Sequence, residues 1–266
     1  MSQIRLGVCC SKEQLPLARQ LGYDYGELGL AWLEGISEEE FYSIPPLLSE
    51  DFRVEAVNGL LPGSRLMLSD QSYDPRALGA YLDKALGRAE QLGVKVAVFG
   101  SGAARSFTPG YPQEKALEQI LEFARLLAQK AEAHGIRGVM EPLNHLECSN
   151  FHTLREGCAF ARQVDRPGFG VLADFYHMAV EQEPLSHVEE AAGLLWHCHI
   201  SSPGRRALSQ EDRGFCRNIA AALKAAGYRG RVSLEAGIAD FPAEAGESLR
   251  LMRECFCPRQ PAGGTI

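Results

Sequence analysis

Short apolar runs alternate with longer amphipathic stretches along the whole chain. Eight runs read as strands: 4–9 (IRLGVC), 24–29 (DYGELG), 52–58 (FRVEAVN), 94–100 (VKVAVFG), 136–141 (IRGVME), 169–174 (FGVLAD), 196–200 (WHCHI) and 231–236 (RVSLEA). Most lack a clean polar alternation, which suits strands buried on both faces. The stretches between them carry helix signals. Over 74–92, Asp74 is placed to cap and Pro75 takes the first helical position. Leu78, Tyr81, Leu82, Ala85, Leu86 and Ala89 then follow one apolar stripe. Over 112–134, Pro112 opens the helix, and Leu117, Ile120, Leu121, Ala124 and Leu127 form its buried face. Thr153 and Glu156 have capping-box spacing at the head of a helix running through Val164. Phe215, Ile219, Ala222 and Leu223 give 211–226 the same amphipathic spacing. Gly22, Gly93, Gly135 and Gly227 each close a helix shortly before the next strand.

Repeated strand–helix units of about 30 residues imply parallel strands joined by right-handed crossovers. Eight such units in roughly 250 residues is the arithmetic of a (β/α)8 barrel. A doubly wound sheet is the rival. It usually places a glycine-rich phosphate turn after its first strand, and Val8-Cys9-Cys10-Ser11-Lys12 contains none. The expected fold is therefore α/β, a single TIM barrel spanning 1–266, with Pro258–Ile266 a frayed tail.

Composition narrows the classes. The 266 residues are 45% hydrophobic and 23% charged, which excludes disordered and fibrous chains. A formal net charge of −7 argues against binding a phosphate backbone, so no nucleic acid is expected. No run approaches the roughly 18 apolar residues of a membrane span. The opening MSQIRLGVCC lacks a signal peptide's apolar stretch, and the expected location is cytoplasmic. A homo-oligomer is compatible with the chain. The eight cysteines show no C-x-x-C and read as reduced packing thiols. Cys9 and Cys10 are adjacent on a strand, so at most one faces a site.

The strand ends carry the chemistry. Strand five ends in Glu141, strand six in Asp174, strand seven in His199 and strand eight in Glu235. In a barrel these ends converge on one mouth. Three carboxylates crowded there would repel, and some would have to take up protons. A divalent cation removes that conflict, and one imidazole with three carboxylates suits Mn²⁺, Mg²⁺, Co²⁺, Fe²⁺ or Zn²⁺. His177 lies on the loop after Asp174 and faces the same mouth. His197 and His199 share a strand face. His199 is preferred as the ligand because it is nearer the strand end, with His197 deeper in the barrel. His134 and His187 read as surface residues, and His145 and His152 as loop histidines. Arg105, in the loop Gly102–Tyr111, is a candidate for an anion or hydroxyl contact, with a solvated loop arginine the equal alternative.

At these residues the chain resembles the xylose-isomerase-like sugar phosphate isomerase/epimerase family, which includes ketose 3-epimerases, hydroxypyruvate isomerase and inosose-processing enzymes. The matching phrases are FGSG at 99–102, EPLN at 141–144, DFYHM at 174–178, HCHISSPGRR at 197–206 and SLEAG at 233–237. The resemblance implies one divalent metal, often manganese, held by Glu141, Asp174, His199 and Glu235. It also implies that His177, Arg205 and Glu147 contact a small carbohydrate substrate. Where several ketose epimerases carry arginine after the asparagine of EPLN, this chain has His145.

Removing a proton next to a sugar carbonyl leaves an enediolate, whose charge a chelated metal stabilises. Glu141 and Glu235 come from strands separated by two others and can flank a substrate as two bases. Opposed bases suit epimerisation, and one base shuttling between neighbouring carbons gives aldose–ketose isomerisation. Both remain open at this point. The rivals are a dehydratase or lyase using the same proton abstraction, a phosphodiester hydrolase of the endonuclease IV type, and a non-catalytic sugar- or metal-binding module. The hydrolase would want a histidine-rich, multi-metal mouth and a basic face, which this acidic chain lacks.

Overall fold

The computed structural model describes residues 4–257, so the tail from Pro258 lies outside the described residues. Eight parallel strands close into a barrel in sequence order: β1 (Arg5–Cys9), β2 (Tyr25–Gly29), β3 (Arg53–Asn58), β4 (Val96–Phe99), β5 (Arg137–Met140), β6 (Phe169–Asp174), β7 (Leu195–Ile200) and β8 (Arg231–Leu234). β8 pairs with β1 and completes the ring. The chain is a (β/α)8 barrel.

Two-residue periodicity sorts the strand side chains into two cores. Tyr25, Ala56, Val96, Val98, Val139 and Leu172 pack together inside the barrel, with Trp196 against them. The other strand positions, such as Leu6, Val54, Ala97, Val171 and Cys198, join the helices in the larger outer core. A register shift inserts Trp196 opposite Val171–Leu172, after which His197 lies level with Leu172 and His199 level with Asp174. Gly7 matters to this interior. A methyl group there would sit 2.2 Å from the Tyr25 ring, so only glycine leaves space for the tyrosine to cross the barrel.

The helices obey their local signals with small departures. Asp74 accepts from the Arg76 and Ala77 amides ahead of Pro75–Leu92. Thr153 and Glu156 form the capping box of Leu154–Val164. Pro112 caps rather than opens Gln113–Ala133. Leu117 is 38% exposed, not buried. The stripe of that helix instead runs through Ala116, Ile120, Phe123, Ala124, Leu127, Ala128 and Ala131, which leaves Leu117 one position off the seam. Cys9, Cys10, Cys148, Cys158, Cys198, Cys216 and Cys255 carry no disulfide.

Candidate active site

The strand termini place four side chains at one end of the barrel. Asp174 is the last residue of β6 and His199 lies one residue before the end of β7, while Glu141 and Glu235 follow β5 and β8 directly. One ligand atom from each lies within 4.8 Å of the other three. His199 Nδ1 is 3.1 Å from Glu141 Oε1 and 3.4 Å from Glu235 Oε2. Glu141, Asp174 and His199 are buried, and Glu235 is half-buried. Gly100, just after β4, keeps space for one of them, since a methyl group there would lie 2.1 Å from Glu141 Oε2.

The charges in this cluster conflict. Burial and the nearby Glu235 and Glu141 push Asp174 up to about 8. Burial raises Glu141 as well. Burial also works to raise Glu235, but His199 and Arg205 beside it hold it at about 2. His199 sits well above the usual histidine range, because Glu27 and Glu235 outweigh its burial. Two buried carboxylates, one half-buried carboxylate and one imidazole thus compete for protons, and a divalent cation would replace those protons. The donor set, three carboxylates and one imidazole, fits such an ion.

Three further groups border the cluster. His177 Nδ1 accepts from the Asn144 backbone and side-chain nitrogens at 3.1 and 2.8 Å, so its proton sits on Nε2. That Nε2 is buried without a hydrogen-bond partner and lies 3.5 Å from Asp174 Oδ2. Burial and Arg205 push His177 down to about 3, which keeps the ring neutral and its N–H a donor. Arg205 donates to Glu147 Oε1 at 2.9 Å and Glu235 Oε2 at 3.3 Å, and its guanidinium lies 4.7 Å from the Tyr176 ring centroid. Arg205 has a φ of 55°, a strained left-handed backbone of the kind that gathers at functional sites. Glu147 is exposed and also accepts from Asn144 Nδ2 at 3.3 Å.

Other sequence candidates fall elsewhere. Arg105 is fully buried and donates to Gly100 O, Asn150 O, Asn150 Oδ1 and Glu141 O, so it ties loops together rather than facing a ligand. His187 is half-buried and pairs with Glu183 Oε1 at 2.6 Å, in place of a free surface position. His134 pairs with Glu90, His145 with Glu181, and His152 with the Leu143 carbonyl.

Sequence reading missed Glu27. This carboxylate lies mid-strand on β2, is fully buried, and meets His197, His199 and Ser233 inside the barrel. Its signal was present: a charged residue at an inward position, two residues after Tyr25, in an otherwise apolar strand. Asn58, at the end of β3, was also missed. Its Nδ2 donates to Glu235 Oε1 at 3.0 Å and to Cys9 Sγ at 3.4 Å. Cys9, Glu27 and His199 form a second close grouping, but burial raises the Cys9 thiol well above its usual range and keeps it protonated.

Residues 15–255 match the family described as xylose isomerase-like TIM barrel. The chain belongs to this family. Among the relatives of this xylose isomerase-like barrel is the D-psicose 3-epimerase of Agrobacterium fabrum, 27% identical over 81% of this chain and 75% of that protein. A second is the 3-dehydro-D-guloside 4-epimerase of Escherichia coli, 29% identical over 52% of this chain and 53% of that protein. A solved D-psicose 3-epimerase, crystallised in the presence of D-fructose, superposes with a TM-score of 0.84 over 95% of this chain and 99% of its own. At 19% identity that match speaks for the fold alone. The expectation of a sugar isomerase or epimerase agrees with these relatives. No helix among the described residues is long and apolar enough to cross a membrane.

Proposed function

We propose that this family member is a divalent-metal-dependent epimerase of a sugar ketone, acting at the carbon next to the carbonyl. The observation that carries the reading is the convergence of Glu141, Asp174, His199 and Glu235, with ligand atoms within 4.8 Å, beside an unpartnered His177 Nε2 donor. Those four residues would hold the cation, with Mn²⁺ favoured for a hard-to-borderline donor set. When bound, the cation supplies Lewis-acid stabilisation of the charge that develops on the substrate oxygens.

The remaining steps belong to side chains. Glu141 and Glu235 each have a second carboxylate oxygen, and we assign proton removal to one and proton return to the other. Because β5 and β8 lie apart around the mouth, the two bases reach opposite faces of a flat enediolate, which inverts the carbon. His177 Nε2–H donates to a substrate oxygen, and Arg205 with Glu147 holds hydroxyl groups, supplying position more than bond-making. The substrate is thus a small carbohydrate.

The test is proton NMR of the Mn²⁺-reconstituted protein with free and phosphorylated ketoses in deuterated water, the products being isolated from the metal before recording. Deuterium entering next to the carbonyl of an epimer is the expected result. Loss of water from the product indicates a dehydratase instead. Binding without exchange by any ketone indicates a binding module. Glu141→Gln and Glu235→Gln should each abolish exchange while substrate still binds, and full turnover in either variant removes that residue from the mechanism.

A further inference from the structure

We infer that Glu27 is a positioning residue that fixes which nitrogen of His199 faces the cation, and so sets the affinity of the site. This inference rests on the cation-site reading above. Its basis is the division of the His199 ring between two neighbourhoods. Nδ1 points at Glu141 and Glu235, at 3.1 and 3.4 Å. Nε2 points away from them, to Glu27 Oε1 at 2.9 Å. A neutral imidazole with its proton on Nε2 offers the Nδ1 lone pair to a metal, whereas the other tautomer offers the wrong nitrogen.

Glu27 is built to enforce that choice. Its Oε2 accepts from Ser233 Oγ at 2.6 Å and His197 Nε2 at 2.9 Å. Tyr25 hydroxyl lies 2.7 Å from Ser233 Oγ and, with the serine proton committed to Glu27, donates to it. Three donors therefore hold the carboxylate from β7 and β8, in an interior where Glu27, His197, His199 and Ser233 are all fully buried. The His197 ring packs edge-on against His199, with centroids 5.0 Å apart at 80°, and fixes the ring plane from below. His197 Nδ1 has no hydrogen-bond partner, so the contact with Glu27 is the polar interaction that justifies burying this second imidazole. A carboxylate behind a ligating histidine orients the ring and raises its basicity, and losing it typically costs about 10–100-fold in metal affinity.

The test compares Mn²⁺ titrations of the full chain and Glu27→Gln by calorimetry, with melting of both proteins in chelator to follow the fold. The expected result is a dissociation constant raised about 10–100-fold in a variant that still folds. An unchanged dissociation constant, whatever happens to the melting temperature, assigns Glu27 to packing alone and overturns the inference. A second measurement needs no variant: nitrogen-15 NMR of the histidines in the zinc-loaded wild type. It should show His199 protonated at Nε2 and metallated at Nδ1. The reverse pattern overturns the inference and favours a cation held toward Cys9 and Glu27. A wild type that binds neither ion overturns the site reading itself, and this one with it.

Discussion

Arg105 donates to Gly100 O at 2.6 Å, Asn150 O at 2.6 Å and Glu141 O at 3.0 Å, and also to Asn150 Oδ1, with no exposure to solvent. Replacing it with methionine keeps much of the volume but strips these acceptors of their donor. Each buried group left unpaired costs about 1–3 kcal/mol. Arg105→Met should therefore destabilise the protein by at least about 3 kcal/mol in urea denaturation. A loss within about 1 kcal/mol would show that water replaces the guanidinium. Sequence alone leaves this arginine between an anion or hydroxyl contact and a solvated loop position, because three of its four acceptors belong to residues 141 and 150, far along the chain. Glu141, Asp174, His199 and Glu235 were legible for the opposite reason: each ends a buried strand, and barrel geometry alone brings strand ends together. Glu27 is not legible in this way because it lies in mid-strand, facing inward, away from the strand ends that barrel geometry gathers.

The elements themselves were easy to read, since a strand buried on both faces is a short apolar run between turns. The observed bounds of β6, Phe169–Asp174, coincide with the run FGVLAD. The short helix Gly102–Arg105 carries no apolar stripe, so the sequence pattern predicts a loop there. That segment and its approach from β4 matter to the site. Gly100 leaves the space into which Glu141 turns, and an added methyl group would lie 2.1 Å from Oε2. The obstacle is the end of a side chain, so Gly100→Ala should fold and displace the carboxylate rather than the backbone. We expect apparent Mn²⁺ affinity to fall about tenfold or more, with the cation-free melting temperature little changed. Calorimetric titration checks this, and wild-type affinity in Gly100→Ala would place Glu141 outside the ligand set.

Closure of the barrel concentrates carboxylates in one mouth of a chain already at −7, and the stability of the whole molecule should register it. Asp174, pushed up to about 8 by burial and by Glu235 and Glu141, keeps a proton in the cation-free fold that the unfolded chain releases near pH 4. Its contribution is complete below that lower pH and disappears as pH rises through the folded value. His199, raised by Glu27 and Glu235 against its burial, acts in the same direction. His177 and His197, lowered chiefly by burial, act oppositely, but only below the ordinary histidine range near pH 6.5. Between about pH 6.5 and 7.5, below the ordinary range of the thiols, the raised groups decide the sign. Melting temperature in chelator should fall across that window. Saturating Mn²⁺ occupies the place of the protons, so the loaded protein should melt higher and with a flatter pH profile, by about 2.7 kcal/mol at a hundredfold excess over the dissociation constant. The gap between loaded and cation-free melts should then widen with pH, because binding releases protons that are held more weakly at higher pH. Parallel profiles with and without Mn²⁺ would mean that the ion binds somewhere other than this carboxylate cluster.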